Sequence, residues 1–338
     1  MKVFLTGHKG YVGNMMTELL LKENFEVIGC DLEYYPQNFK KNDFSNVQSL
    51  KKDIRTITDD DLKGCSAIIH LAALSNDPLG EINPSLTDDI NFLATIRLAN
   101  LAKKAGINKF IYSSSCSAYG VNEDTVDENS SLEPLTAYAK SKVNSELELL
   151  KLKNNDFSPI ILRNATAYGI SSNLRLDLVV NNLVCAAFTT GKVRLLSDGT
   201  AWRPLLHVED MSNAFLTCLN SPDSKVSGEI FNVGSNDDNY TVREIAEKVE
   251  RIVPNSKIEY SENANKDSRS YKVNFDKISN ELNFKTKWTL NKGIEDIYEK
   301  MKEENISLDD LHDKKFYRVK YLKYLLDEGK INKNLEIK

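Results

Sequence analysis

The chain has 338 residues, of which 41% are hydrophobic, and it carries a formal net charge of −5 from 44 basic and 49 acidic residues. This length suffices for a large bilobed domain or for two domains that share one cleft, which is the size range of enzymes. The sequence has no long basic run, so we expect no nucleic-acid partner.

Apolar runs and cysteine spacing argue against a membrane or secreted protein and against a disulfide-rich or metal-binding one. The longest apolar run near the start is Val3-Phe4-Leu5, far below the roughly 20 residues of a membrane span, and no signal-peptide cleavage pattern is present. We therefore expect a cytoplasmic protein with no membrane partner. The cysteines are odd in number and form no Cys-x-x-Cys pair, which predicts neither a disulfide framework nor a metal site. They are Cys30, Cys65, Cys116, Cys185 and Cys218.

Short β-rich runs alternate with longer helical patterns through the first half of the chain. Strands are predicted at residues 2–5, 26–30, 67–71, 109–113 and 158–162, and several are apolar on both faces, as expected for strands that helices cover on two sides. Between the first two strands, apolar residues recur at helical spacing and predict one buried stripe. They are Val12, Met15, Met16, Leu19 and Leu20. The alternation is typical of an α/β fold with a doubly wound parallel sheet.

The composition changes after about Gly169, where apolar runs shorten. Residues 171–182 and 261–270 are rich in Asn, Ser and Asp and indicate a second, smaller lobe. Between them, residues 229–233 predict another strand of the main sheet, and a capping box at residues 241–244 predicts the start of a helix. We therefore predict a main domain at 1–168 plus about 205–235, a discontinuous lobe at about 169–204 and 236–300, and a helical tail at 301–338.

Three glycines lie where the first predicted strand meets the first predicted helix, in Thr6-Gly7-His8-Lys9-Gly10-Tyr11-Val12-Gly13. Glycines at this position permit a tight turn and let a pyrophosphate approach the backbone amides at the positive end of the helix. The spacing is Gly-x-x-Gly-x-x-Gly rather than the commoner Gly-x-Gly-x-x-Gly. A strand-to-helix turn that binds no ligand is the alternative interpretation.

An acidic residue, Asp31, ends the second predicted strand. At this position a carboxylate accepts hydrogen bonds from the adenosine ribose of a dinucleotide, and it would repel the 2′-phosphate of NADP, which favours NAD. Asp53 and Ile54 are predicted to border the adenine. As an alternative, an aspartate after a strand is a common turn residue.

The strongest chemical signal is Tyr138-Ala139-Lys140-Ser141-Lys142 in a helical stretch. Tyr138 and Lys142 are four residues apart and share one helix face. A free phenol has a pKa of about 10, and a nearby ammonium would lower that pKa by stabilising the phenolate. Tyr138 could then exchange a proton with a hydroxyl while hydride moves to or from nicotinamide. A surface Tyr–Lys pair is the alternative.

A run of serines, Ser113-Ser114-Ser115, lies at the end of the strand predicted at 109–113. This is the carboxyl edge of the sheet, where open α/β folds bind ligands. Ser115 could donate a hydrogen bond to the reacting oxygen. Serines that merely close a strand are an equally simple interpretation.

Together these motifs resemble the extended short-chain dehydrogenase/reductase superfamily, in its nucleotide-sugar epimerase and dehydratase branch. The resemblance spans roughly residues 1 to 300 and implies a Rossmann-type NAD domain, a smaller C-terminal lobe for a nucleoside-diphosphate sugar, and a homodimer joined through helices that include the Tyr138 helix. The matching positions, in order, are Gly7/Gly10/Gly13, Asp31, His70-Leu71-Ala72-Ala73, Asn91, Ser113-Ser114-Ser115, Tyr119-Gly120, the Tyr138/Lys142 pair, Arg163-Asn164, and Arg203 to Asp210.

The resemblance also implies roles for single residues, with Ser115, Tyr138 and Lys142 catalytic. The cofactor-binding set is Gly7, Gly10, Tyr11, Val12, Gly13, Asp31, Asp53, Ile54, Leu71, Ala72, Ala73, Asn91, Ser113, Tyr138 and Lys142. The substrate-binding set is Ser115, Cys116, Ser117, Asn164, Arg203 and Arg269. The two arginines resemble those that hold the nucleotide diphosphate, a task that suits the charge and planar donors of guanidinium.

Two departures from the family bear on the reaction. The 4,6-dehydratases place an Asp-Glu pair directly after the catalytic hydroxyl residue, whereas this chain has Cys116 and Ser117. A dehydratase is therefore disfavoured. Cys116 is either a base beside a ketone or, more simply, a packing residue.

The leading hypothesis is an NAD-dependent nucleotide-sugar epimerase that acts at C4. A net dehydrogenase or keto-sugar reductase that uses the same Ser-Tyr-Lys site is the nearest alternative, and a non-catalytic NAD-binding protein is another. The segment Asn173-Leu174-Arg175-Leu176-Asp177-Leu178 is unusual and resembles that of members that include heptose-nucleotide dehydrogenases, which argues against UDP-galactose as the substrate.

Overall fold

The computed structural model describes residues 1–39, 44–265 and 270–338, including side chains except at 262–265. The strands in this part of the chain are β1 (Lys2–Thr6), β2 (Glu26–Asp31), β3 (Gln48–Lys51), β4 (Ala67–His70), β5 (Lys109–Ser115), β6 (Val121–Val126), β7 (Ser158–Asn164), β8 (Thr166–Tyr168), β9 (Lys192–Ser197), β10 (Trp202–His207), β11 (Ile230–Val233), β12 (Asn239–Thr241), β13 (Lys257–Asn265) and β14 (Ser270–Val273).

The α-helices are α1 (Tyr11–Lys22), α2 (Asp77–Gly80), α3 (Pro84–Asp88), α4 (Ala94–Lys104), α5 (Ala137–Lys151), α6 (Val179–Thr190), α7 (Val208–Asn220), α8 (Asp223–Val226), α9 (Val242–Ile252), α10 (Asp276–Leu282), α11 (Leu290–Glu303), α12 (Leu308–His312) and α13 (Arg318–Asp327). A π-helical turn, Asp89–Leu93, precedes α4, and a 3-10 turn, Cys116–Tyr119, follows β5. The other 3-10 turns are Ile54–Thr56, Asp59–Leu62, Asn236–Asp238 and Lys314–Phe316.

Seven parallel strands form the central sheet in the order β3-β2-β1-β4-β5-β7-β11. Because β1 lies between β2 and β4, Thr6 pairs with both Cys30 and His70. The strand order reverses between β1 and β4, and open α/β sheets bind their ligands in the crevice outside such a reversal. The predicted doubly wound α/β fold is confirmed.

The sheet differs from the sequence prediction at strand ends and at one edge. Strands β5 and β7 continue beyond their predicted ends to Ser115 and Asn164, which pair with each other. The edge strand β3 had no predicted bounds, because Gln48, Ser49 and Lys51 are exposed and leave no apolar pattern. The predicted strand at 229–233 is present as β11.

Hydrophobic cores cover both faces of the central sheet. Val3 and Leu5 belong to one core and Phe4 to the other, and all three are fully buried. In α1, Met16 and Leu20 are fully buried, whereas the rest of the predicted stripe is half-buried. The sequence therefore placed the buried face of this helix correctly but not its centre.

A third core lies outside the central sheet and draws on segments far apart in the sequence. It includes Leu183 from α6, Ile245 from α9, Ile294 from α11 and Phe316 near the C-terminus. The capping box that was predicted at Thr241 is present at the start of α9.

The C-terminal segment packs against the residues that follow β4 as well as against the third core. Leu322 and Leu325 of α13 form a cluster with Leu74 and Leu79, which follow β4. Within the described residues, no helix is long and apolar enough to cross a membrane.

Candidate functional site

Two adjoining cavities lie at the carboxyl ends of the central strands. We call the one lined by the glycine turn, Asp31 and Asp53 the turn cavity, and the one lined by Ser115, Tyr138 and Lys142 the tyrosine cavity. They share the lining residues Tyr11, Val12, Leu71, Ala73, Ser75 and Arg175. An elongated ligand could therefore extend from one cavity into the other.

Two positions of the glycine turn, Gly7 and Gly13, require glycine for steric reasons. Gly7 has φ +71°, a conformation that costs little only for glycine. A Cβ at Gly13 would lie 1.9 Å from the Gly7 carbonyl oxygen, so α1 can pack this closely only without a side chain there. No side chain caps the start of α1 at Gly10, so its first amides can bind an anion.

Asp31 is held in place by backbone amides. Its Oδ2 accepts a hydrogen bond from the Lys9 amide at 3.1 Å, and its Oδ1 accepts one from the Glu33 amide at 2.7 Å. An ionised carboxylate has about four acceptor sites, so Asp31 retains capacity for further donors. Its position suits the hydroxyls of a ribose.

Most of the predicted cofactor-binding residues meet in the turn cavity. Those that line it are Gly7, Gly10, Tyr11, Val12, Gly13, Asp31, Asp53, Ile54, Leu71, Ala72 and Ala73. Ser113, Tyr138 and Lys142 line the tyrosine cavity instead.

Asn91 lies outside the described linings of both cavities. Its side chain accepts a hydrogen bond from the Leu74 amide at 2.8 Å and donates to the Leu74 carbonyl at 3.2 Å and to Ser141 Oγ at 3.2 Å. Asn91 thus fastens the segment after β4 to α5, behind the cavities.

The predicted catalytic trio meets in the tyrosine cavity. Lys142 Nζ lies 5.6 Å from the centroid of the Tyr138 ring and donates a hydrogen bond to the Ser113 carbonyl at 2.7 Å. Ser115 accepts a hydrogen bond from Ser117 Oγ at 2.9 Å and lies near enough to the Tyr138 phenol to act on its pKa. A proton acceptor, a hydroxyl and an ammonium therefore share one cavity wall.

Burial shifts the two titratable groups of this trio in opposite directions. Loss of solvent raises the pKa of Tyr138 to about 12; Asp77 adds to the rise, while Ser115 and Arg175 oppose it. Burial also lowers the pKa of Lys142 to about 7, partly offset by Glu146. In the chain without ligands, burial therefore outweighs the neighbouring positive charges, and the pKa of Tyr138 lies above that of a free phenol.

Cys116 is turned away from the tyrosine cavity. Its side chain is buried, and its Sγ donates to the Arg163 carbonyl at 3.2 Å. Burial raises the pKa of this thiol well above its ordinary value. This placement favours packing over a role as a base.

Three other predicted substrate residues line the tyrosine cavity: Ser117, Asn164 and Arg203. The Nδ2 of Asn164 donates to Ser113 Oγ at 3.1 Å, whereas its buried Oδ1 has no hydrogen-bond partner among the described residues. That oxygen could accept a donor from a ligand. Arg269 lies outside the described residues.

Sequence reasoning gave no site role to several residues that the cavities contain. Arg175 lines both cavities and forms a salt bridge with Asp177 at 2.8 Å. Arg318 and Asn173 line the turn cavity. The unusual segment 173–178 was a signal for two of these residues, but nothing in the tail sequence marked Arg318.

The chain is similar in sequence and in fold to known proteins. The profile of the NAD dependent epimerase/dehydratase family matches residues 3–234. A UDP-glucuronate 4-epimerase from Thermodesulfobacterium geofontis is 27% identical over 313 residues, which cover 86% of this chain and 93% of that protein. A human dTDP-D-glucose 4,6-dehydratase is 26% identical over 247 residues, covering 70% and 69% of the two chains.

The fold of this chain is also similar to those of solved structures. The crystal structure of UDP-glucuronic acid 4-epimerase from Bacillus cereus in complex with UDP-glucuronic acid and NAD superposes with a TM-score of 0.78 at 23% identity. The match covers 90% of this chain and 99% of that one. At this coverage the similarity in fold extends well past residue 234.

Proposed function

Because the chain belongs to the NAD-dependent epimerase/dehydratase family, we propose that it is a nucleotide-sugar 4-epimerase, which oxidises the C4 hydroxyl of its substrate and reduces the ketone on the opposite face. The observation that carries the proposal is the meeting of Ser115, Tyr138 and Lys142 in one cavity that adjoins the glycine turn. A protein that only bound NAD would need no such acid/base group.

The residues of the turn cavity fit NAD. The uncapped amides at the start of α1 suit its diphosphate, and the Asp31 carboxylate suits the ribose hydroxyls and disfavours a 2′-phosphate. When bound, NAD supplies the hydride acceptor and then the hydride donor. In the proposed site, Tyr138 and Lys142 face the nicotinamide end.

Tyr138 is the group that removes and returns the C4 hydroxyl proton, through its phenolic oxygen. Ser115 orients the C4 oxygen by hydrogen bonding. Because the pKa of Tyr138 is raised to about 12 by burial, the phenol becomes an effective base only when positive charge gathers beside it. The ammonium of Lys142 and the cationic ring of oxidised nicotinamide would add to the Arg175 guanidinium, which already opposes the rise in this pKa.

The residues after Ser115 support an epimerase over a dehydratase. Elimination of water requires a carboxylic acid and a carboxylate, and neither Cys116 nor Ser117 supplies one. The buried, high-pKa thiol of Cys116 is a poor substitute.

Substrate binding is assigned to the smaller lobe and the edge of the tyrosine cavity. In this proposal, Arg203 and Asn164 bind the nucleoside diphosphate and Ser117 contacts the sugar, and Arg269 is retained as a second arginine for the diphosphate. The protein acts as a homodimer joined through the α5 region; exposed Leu147 on α5 and exposed Leu93 before α4 support this.

The test is a screen of UDP-, GDP-, CDP- and dTDP-sugars with wild-type protein and with Tyr138→Phe as the matched control. Epimerisation predicts a C4 isomer without net NADH, formed by the wild type alone. Stoichiometric NADH would instead identify a dehydrogenase, and loss of water detected by mass spectrometry would identify a dehydratase. If no sugar reacts and NAD still binds, the non-catalytic alternative replaces the proposal.

A further inference from the structure

Arg318, the first residue of α13, lines the turn cavity although it lies far along the chain from the glycine turn. Its side chain is only 3% exposed. The C-terminal segment thus places a buried guanidinium beside the glycine turn and the segment that follows β8.

Arg318 is connected to the glycine turn by an amide side chain. Its Nη2 donates to Asn173 Oδ1 at 2.9 Å, and Asn173 Nδ2 donates to the Lys9 carbonyl at 2.9 Å. The guanidinium also lies 4.0 Å from the centroid of the Tyr35 ring. These contacts hold the planar group beside the turn.

The other cations that line the turn cavity are each matched by a carboxylate. Lys9 pairs with Glu33, Lys52 with Asp61 at 2.6 Å and Arg175 with Asp177 at 2.8 Å. These pairs neutralise most of the positive charge at the cavity wall.

Arg318 differs from these cations in having no carboxylate partner in the described part of the chain. Its Nη1 is buried and, among the same residues, has no hydrogen-bond partner. Burial and the nearby Arg175 lower the pKa of Arg318 to about 10. An unpaired buried charge is costly, and buried charges in proteins are normally paired. The cavity therefore has a place for an anion that the protein itself does not fill.

We propose that Arg318 binds the diphosphate of NAD, so that the C-terminal segment forms one wall of the cofactor site. The diphosphate is the anionic part of this cofactor, and the uncapped start of α1 draws it to the glycine turn, beside which Asn173 holds Arg318. Guanidinium suits the task because its planar donors match phosphate oxygens. The tail thereby couples cofactor binding to the packing of α13.

A purely structural role would give a different pattern of ligand affinities. If Arg318 served only to fasten α13 through Tyr35 and Asn173, its loss would disturb the whole cavity. Adenosine, which has no phosphate, would then lose affinity together with ADP and NAD.

The experiment measures, by calorimetry, the binding of adenosine, ADP and NAD to the full chain after bound nucleotide has been removed. Arg318→Gln retains an amide that can donate to Asn173, and Lys323→Met removes an exposed cation from the same helix as a control. We expect Arg318→Gln to weaken ADP and NAD binding by about tenfold or more, since it loses a charged hydrogen bond, and to leave adenosine unchanged. The control should leave all three affinities unchanged.

Equal losses for adenosine and ADP, or unchanged affinity for ADP, would overturn the proposal. If Arg318→Gln does not fold, Arg318→Lys provides the same comparison, because it keeps the charge and loses the planar fork. A loss of affinity confined to the phosphorylated ligands supports the proposal in that variant as well, and an unchanged ratio of ADP to adenosine affinity rejects it.

Discussion

The two cavities of the cleft differ in how the protein surrounds their polar groups. In the turn cavity, Asp31 has both carboxylate oxygens bonded to backbone amides, and Gly7 and Gly13 fix a rigid turn. In the tyrosine cavity, Tyr138 and Lys142 are held in electrostatic surroundings that disfavour their charged forms. One end is arranged for recognition by fixed geometry, and the other for a reaction in which charge changes.

This contrast separates binding from turnover. Groups that are satisfied within the protein should contribute to affinity and little to the rate of reaction. Groups whose charge is unfavourable in the folded chain should respond most strongly to a bound cation or to pH. Substitutions at the two ends are therefore expected to affect different measurements.

The largest effect is expected for Tyr138→Phe. Removal of the phenolic oxygen deletes the proposed proton acceptor, so kcat should fall roughly a thousandfold, within the usual range for general acid–base catalysis. ADP affinity, which reports on the turn cavity, should change less than about twofold. Turnover would be followed with the sugar that the substrate screen identifies.

Tyr112→Phe is the matched control for this substitution. The centroid of the Tyr112 ring lies 4.8 Å from Lys142 Nζ, but Tyr112 is outside the described linings of both cavities. Like Tyr138→Phe, this substitution removes one phenolic hydroxyl. Its kcat should stay within about threefold of wild type. Equal losses of kcat in the two variants would contradict the separate role of Tyr138.

The turn cavity was also easier to predict from the sequence than the tyrosine cavity. The glycine turn was readable because its constraint is local, with Gly13 packing against Gly7 only six positions away. Asp31 was readable because it ends a strand whose pattern is clear. Features of this kind depend on neighbours in the sequence and on backbone geometry.

The directions in which the pKa values of Tyr138 and Lys142 shift were not predictable, because they depend on burial by segments distant in the sequence. Arg318 escaped notice for a related reason: its partner Asn173 is 145 positions away. The bounds of the edge strand β3 could not be predicted, because its few residues are mostly exposed and carry no apolar alternation. In each case the missing information was tertiary.

The second prediction concerns pH and the stability of the chain without substrate. Burial lowers the pKa of Lys142 to about 7 in the folded chain, below the roughly 10.4 of an unfolded lysine. The unfolded chain therefore binds more protons between these values, and this group makes stability rise with pH. Lys142→Met removes that contribution.

The wild-type free energy of unfolding, minus that of Lys142→Met, should thus increase by about 1–2 kcal/mol between roughly pH 7 and pH 9. Urea titrations at several pH values would measure it. The raised pKa of Tyr138 acts above about pH 10 and is common to both proteins. A difference that stays flat or falls with pH would show that Lys142 is not held in a desolvated site.

The smallest effect is expected at the other end of the cleft, for Asp31→Asn. One side-chain oxygen can still accept a hydrogen bond from the amide of Lys9 or of Glu33, but the new NH₂ group faces the other amide. The substitution also removes an acceptor for the ribose hydroxyls. A loss of about tenfold in NAD affinity is expected, whereas kcat at saturating NAD should hardly change.

Glu33→Gln is the control for this change, because it removes one negative charge two positions away. Its carboxylate pairs with Lys9 at a partly exposed site, where an ion pair contributes little, so NAD affinity should stay within about threefold of wild type. If Glu33→Gln weakened NAD binding as much as Asp31→Asn does, the net charge of the region would explain the affinity. A loss confined to Asp31→Asn would instead place the ribose contact at that carboxylate, and would confirm that this end of the cleft acts through fixed geometry.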